Sequence, residues 1–198
     1  MRNILIFGGS FSPPTLAHEA IARACLALPG FDEVWLLPSG GRADKTISFD
    51  DNDRLAMLRL VRVERFAGDS RLVISDFELQ LPRPTQTYKT VEALAAAFPD
   101  CEFRFVYGAD SYAGMPHWPH GRELQKTLPM LVFERGGMSL ATAANVLCQP
   151  MPTDFASVSS TQVRHVLECG GDLSGLVSPP IARYVQRITK ASRPARAA

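Results

Sequence analysis

The apolar run Ile4-Leu5-Ile6-Phe7 passes directly into Gly8-Gly9-Ser10-Phe11-Ser12-Pro13-Pro14-Thr15, after which the chain takes on helical spacing. A buried strand that opens through glycines into a helix commits the N-terminal part to an α/β fold and suits its first turn to holding phosphate. Glycines lack a side chain that would keep an anion off the main chain, and the free N–H groups of a helix start add the positive end of the helix dipole. His18 lies three residues beyond Thr15, so the two side chains share one face of the first turns. Both would then reach the place where phosphate charge would sit. Taken alone, a strand-to-helix turn carrying a solvated histidine accounts for the same residues.

The rest of the chain repeats the alternation of short apolar runs with helical periodicity, as in βαβ units that build a parallel sheet. Strands are expected at 4–7, 33–37, 72–75, 103–107 and 130–133, and helices at 15–28, 51–63, 90–98, 160–169 and 179–188. The second helix begins at Asp50-Asp51-Asn52-Asp53, whose side chains suit a cap and need no catalytic role. The fold class is therefore α/β: a Rossmann-like open parallel sheet with helices on both faces. In such a sheet ligands bind beyond the carboxyl ends of the strands, where strand order reverses. Gly8 and Gly108 each follow a strand and would face that crevice.

With 198 residues, the chain suffices for one well-buried core, read as a single domain over 1–188 with a disordered basic tail over 189–198. A formal charge of +1 gives no general attraction to nucleic acid. Cys25, Cys101, Cys148 and Cys169 contain no C-x-x-C pair, which points to reduced, mostly buried thiols in a cytoplasmic protein. No apolar run approaches a membrane span. His117 and His120 have an H-x-x-H spacing without a completing carboxylate or cysteine, so no metal site is assigned and both read as loop histidines.

The segment from Gly8 to His18 resembles the G-G-T-F-D-P-x-H-x-G-H signature of the nucleotidylyltransferase superfamily, in particular its nicotinate-nucleotide adenylyltransferase branch. Further stretches resemble that branch in order: Pro38 with Lys45, Arg54 with Met57, Thr90-Val91-Glu92-Ala93-Leu94, Gly108-Ala109-Asp110-Ser111 with Pro116 and Trp118, Ser159 to Arg164, and Pro179 to Ile188 with Tyr184. The resemblance implies transfer of the adenylyl group of ATP to nicotinate mononucleotide, giving nicotinate adenine dinucleotide and pyrophosphate, with magnesium entering alongside ATP. It implies catalytic roles for Thr15, His18, Lys45 and Arg164, and ATP or phosphate contacts from Gly8, Gly9, Ser10, Phe11, Gly108, Asp110, Ser159, Ser160 and Thr161. The pyridine mononucleotide falls to Tyr88, Lys89, Thr90 and Trp118, with no nucleic acid or membrane partner and a homo-oligomer left open.

The chemistry of these residues fits that reaction. A mononucleotide phosphate is largely dianionic at neutral pH and attacks the α-phosphorus without a general base, so the protein must align two polyphosphates and stabilise growing charge. That calls for hydroxyls, cations and main-chain amides rather than a nucleophile. Arg164 follows Ser160 by four residues and Thr161 by three, placing its fork beside a helix start whose hydroxyls otherwise read only as caps. Asp110 suits a ribose hydroxyl or a hydrated metal, and equally an N-cap. Trp118 would stack on a flat ring or anchor its loop.

Four residues depart from the family pattern: Thr15 in place of a histidine, Ala17 for glycine, Asp44 ahead of Lys45, and Lys89 where a tyrosine is usual, with Tyr88 adjacent. Within the fold, the alternatives are a nucleotidylyltransferase acting on nicotinamide mononucleotide or phosphopantetheine, or one using CTP. Outside enzymology, the alternative is a catalytically silent nucleotide-binding module. Neither a Walker A loop nor a G-x-G-x-x-G fingerprint is present.

Overall fold

The computed structural model describes residues 1–41, 47–67, 69–134, 143–152 and 157–192. Strands β1 (Arg2–Gly9), β2 (Glu33–Pro38), β3 (Leu72–Ile74), β4 (Cys101–Gly108), β5 (Met130–Glu134) and β6 (Val146–Pro150) form one sheet in the order β3-β2-β1-β4-β5-β6. Every neighbouring pair is parallel. Helices α1 (Leu16–Ala27), α2 (Asp51–Arg65), α3 (Thr87–Ala97), α4 (Ala109–Gly114) and α5 (Gly121–Thr127) lie in the connections between strands, α6 (Ser160–Glu168) and α7 (Pro179–Ser192) follow β6, and 3-10 turns stand at Phe77–Gln80 and Met115–His117.

Strand β1 shows why the sheet is covered on both sides. Its side chains alternate: Leu5 and Phe7 join the core formed with α1, α2 and α7, while Ile4 and Ile6 join the core formed with α3 and α5. All four are nearly or wholly buried, a contribution of about 1.5–3 kcal/mol each. Helix α2 starts as its acidic cluster predicts, with the Asp50 side chain accepting from the Asp53 N–H at 2.8 Å.

The structure adds elements that the periodicity does not announce. Helices α4 and α5 are six and seven residues long, too short for an apolar stripe. Strand β6 is an edge strand that buries only Val146 and exposes Leu147. Helix α3 begins at Thr87 rather than Thr90, because Thr90 is no cap: its hydroxyl turns back to the Gln86 carbonyl at 3.4 Å. Helix α7 continues to Ser192, so 189–192 are helical rather than disordered, and 193–198 lie outside the described residues. Of the cysteines, Cys25 alone is fully buried, and Cys169 is exposed. Among the described residues, no helix is long and apolar enough to cross a membrane.

Candidate active site

From β1 the sheet extends through β2 to β3 on one side and through β4 to β6 on the other, so β1 and β4 flank the switch point. Their carboxyl ends are Gly8-Gly9 and Gly108, and the loop after β1 forms the near wall of the crevice. Phe11 in this loop has φ +45°, a left-handed conformation unusual for an aromatic residue. Its ring offsets that strain: it is fully buried, 5.6 Å from the Phe7 ring and 5.0 Å from His18. A Cβ at Gly9 would lie 3.3 Å from this ring, so glycine there leaves room for Phe11.

Thr15 caps α1, and His18 completes a reciprocal cap. The Thr15 N–H donates to His18 Nδ1 at 3.0 Å, and Thr15 Oγ1 lies 2.8 Å from the same nitrogen. An accepting Nδ1 puts the ring proton on Nε2, at the far edge of the imidazole. The ring packs between Phe7 and Phe11, and burial pushes the histidine down to about 4. His18 is therefore a neutral donor near pH 7. Thr15 is fully buried with its hydroxyl turned to His18, so it acts here through the histidine.

A residue the sequence reading left without a role fixes this loop from beneath. Arg54, fully buried on α2, donates to the Ser10 carbonyl at 3.0 Å, the Ser39 carbonyl at 2.9 Å and Asp51 at 2.6 Å. It thereby joins the carboxyl ends of β1 and β2. In a trans peptide C=O and N–H point oppositely, so gripping the Ser10 carbonyl turns the Phe11 N–H away from Arg54. Asp51 also pairs with Arg83, and these arginine hydrogen bonds hold its carboxyl below the ordinary range even though burial acts the other way.

Helix α6 closes the loop from the far side. Arg164 donates to the Ser12 carbonyl at 2.9 Å and to Thr161 Oγ1 at 3.0 Å, and the Ser160 hydroxyl donates to the Pro13 carbonyl at 2.8 Å. Ser159 is the N-cap, accepting from the Gln162 N–H at 3.2 Å. The structure thus brings Thr15, His18, Ser160, Thr161 and Arg164 to one loop, each with a protein partner. Gly108 is the N-cap of α4, and Asp110 lies in that helix's first turn. Lys45 and its neighbour Asp44 lie outside the described residues.

A cavity of about 300 Å³ runs from Gly8, Gly9 and Ser10 to the start of α3. Its apolar walls are Leu37, Phe105, Tyr107 and Trp118, with the Trp118 ring edge-on to Tyr107 at 5.8 Å. Its polar wall comprises Ser39, Glu78, Thr85, Gln86, Thr87, Thr90 and His117. The N–H groups of Thr87 and Tyr88 fall in the first turn of α3, where helix geometry supplies no partner. Of the four residues expected at the pyridine mononucleotide, Thr90 and Trp118 line the cavity. The side chains of Tyr88 and Lys89 do not: Tyr88 packs on His120 with centroids 4.2 Å apart, and Lys89 is exposed beside the Tyr88 ring.

His117, read as a loop histidine, is in the wall. Glu78, Thr85 and Ser39 are further additions. Their segments follow or precede short elements with no chemical motif of their own, and Pro84 and Pro119 beside the cavity were the nearest local signal. Among the described residues, no group of three or more His, Cys, Asp or Glu side chains is placed to hold a metal.

A phosphate-suited loop and an aromatic cavity at the switch point of a parallel sheet define a nucleotide-binding α/β protein of nucleotidylyltransferase type. The family model described as Cytidylyltransferase-like matches residues 6–166. Two relatives carry the name "Probable nicotinate-nucleotide adenylyltransferase". One, from Geobacillus kaustophilus, is 34% identical over 94% of this chain and 84% of its own length; the other, from Symbiobacterium thermophilum, is 32% identical over 93% of each. A solved structure, the Plasmodium falciparum nicotinic acid mononucleotide adenylyltransferase complexed with NaAD, superposes with a TM-score of 0.85. It covers 96% of this chain and 97% of its own at 22% identity, which establishes the shared fold. The chain belongs to the nicotinate-nucleotide adenylyltransferase family, a branch of the nucleotidyltransferases.

Proposed function

We propose that this protein transfers the adenylyl group of ATP to nicotinate mononucleotide, forming nicotinate adenine dinucleotide and pyrophosphate in NAD biosynthesis. The observation that carries this reading is the continuity of one cavity from the glycine loop to the α3 start and Trp118. Phosphate would lie at the first end and a flat ring at the second. An oxygen of the mononucleotide phosphate attacks the α-phosphorus of ATP, a new P–O bond forms, and the bond to the β-phosphate oxygen breaks as pyrophosphate leaves. The phosphate needs no general base.

The residues of this chain act as an alignment frame. The Phe11 N–H, the His18 Nε2–H and the spare donors of Arg164 face growing negative charge, and Arg54 holds the loop that presents them. Trp118 stacks on the pyridine ring, and the Thr87 and Tyr88 amides receive its carboxylate. Magnesium suits a site with few protein ligands, since it is held largely by substrate phosphates and water with one or two carboxylates. Asp110 is the carboxylate at the β4 end that would hold it, and the ion when bound neutralises phosphate charge.

The test is pyrophosphate release with ATP, magnesium and a panel of mononucleotides. Nicotinate mononucleotide should give the highest kcat/KM, about ten- to a hundredfold above nicotinamide mononucleotide. Turnover of phosphopantetheine, or of CTP in place of ATP, with none of the pyridine nucleotides would reject the proposal.

A further inference from the structure

A carboxylate-bearing ring would meet a carboxyl group already in the cavity. Among the described residues that line it, Glu78 is the single acid. It sits in the 3-10 turn before α3, and it is fixed in place: Oε1 accepts from the Thr85 hydroxyl at 2.6 Å and from the Gly40 N–H at 3.3 Å. Thr85 lines the cavity as well, so the carboxyl and its hydroxyl donor belong to one wall. The backbone is fixed too. A Cβ at Gly40 would lie 2.7 Å from the Glu78 carbonyl oxygen and 2.7 Å from Thr85 Cγ2, and the Thr85 N–H donates to the Gly41 carbonyl at 3.1 Å. The side chain is thus held against the wall rather than free to swing into solvent.

Two observations tell against a purely structural role. A neutral glutamine would accept the same two hydrogen bonds, so the clamp alone does not need a charge. The cavity's other polar side chains are also neutral groups apart from His117, its single titratable base among the described residues. Burial pushes the Glu78 carboxyl up, while Thr85, Gly40, Thr90 and the buried charge of Arg54 oppose that shift.

Resting on the function proposed above, we infer that Glu78 is a specificity-determining residue: its anchored carboxylate weakens the cavity's preference for an anionic ring substituent over a neutral carboxamide. The two like charges repel across the cavity, whereas a carboxamide carries no charge and offers N–H donors. The first-turn amides of α3 favour the acid, Glu78 opposes it, and the difference sets the selectivity.

The experiment compares kcat/KM for nicotinate and nicotinamide mononucleotides in the unaltered protein, Glu78→Gln, Glu78→Asp and Glu78→Met, with thermal melting to establish folding. The acid-to-amide ratio should rise about tenfold in Glu78→Gln through a lower KM for the acid, and remain near the parental value in Glu78→Asp, which keeps the charge. Glu78→Met removes the charge without the hydrogen bonds and should raise the ratio in the same direction, which serves if the glutamine variant does not fold. A ratio within twofold of the parent in the folded charge-free variants would overturn the inference, as would an equal rise in Glu78→Asp. If the unaltered protein turns over neither mononucleotide, the function proposed above fails and takes this inference with it. Turnover with an unmoved ratio removes this inference alone.

Discussion

Replacing His18 by asparagine separates two roles that the fold gives one ring. Asparagine Oδ1 falls near the position of Nδ1 and can still accept from the Thr15 N–H, so the α1 cap is retained, while the donor at the Nε2 position is withdrawn. Losing one aimed donor from a charge-stabilising site costs about 2.7–4 kcal/mol in the barrier, or roughly a hundred- to a thousandfold in kcat. The ring contacts to Phe7 and Phe11 are lost as well, each worth about 0.5–1.5 kcal/mol of stability. The pH dependence follows from the depressed pKa of about 4 against 6.5 for an unperturbed histidine. Above pH 6.5 neither the folded nor the unfolded chain protonates this group, and stability is insensitive to it. Between 6.5 and about 4 the unfolded chain binds a proton that the folded chain does not, so the parent loses about 3 kcal/mol as pH falls through that window. The asparagine variant lacks this contribution, and its stability curve should be flatter there. The assays are pyrophosphate release for kcat and urea unfolding from pH 4 to 8. A parental rate that falls as pH rises through 6.5 would mean that imidazolium is the active form. That outcome, or a variant turning over at the parental rate, refutes the neutral-donor reasoning.

Arg164→Ala should raise the ATP dissociation constant by about ten- to a hundredfold, read by calorimetry, because a charge-assisted donor pair is lost. Arg164→Lys should recover only part of it, since an ammonium cannot hold Ser12 and a phosphate oxygen with one planar fork. Arg54→Met should cost about 3 kcal/mol in urea unfolding, because it leaves the Ser10 and Ser39 carbonyls buried without their donor; an unchanged midpoint would show that the clamp is dispensable. Gly121→Ala would place a Cβ 1.7 Å from the Met115 carbonyl oxygen and 3.3 Å from Trp118 Cβ. It should lower the melting temperature by several degrees and raise KM for the mononucleotide more than KM for ATP.

The parts of this fold legible in the sequence are those where one short segment carries the whole signal. Ile4 to Phe7 is apolar on both faces and ends in two glycines, which specifies a central parallel strand and its turn, and the Thr15–His18 spacing anticipates a shared helical face. The same spacing reads differently once the hydrogen bonds are seen. The two side chains do not reach outward as independent donors; they bond to each other, and the packing that makes this a cap is also what keeps His18 neutral. The cavity was far less legible. Ser39, Glu78, Thr85 and His117 come from the end of β2, a 3-10 turn, the segment before α3 and a second 3-10 turn, and they meet only because the parallel strands β2, β3 and β4 deliver the segments after them to the same edge of the sheet. No periodicity links them. Arg54 is the sharper case, because the sequence gives it a place in the family pattern but no role, and it is fully buried on α2. A buried arginine is tolerated where its charge is met by donors in use, and Nη1 and Nη2 of Arg54 reach the two loop carbonyls and the acid that hold both strand ends in register with the cavity. Helix α2 therefore carries the residue that shapes the loop after β1.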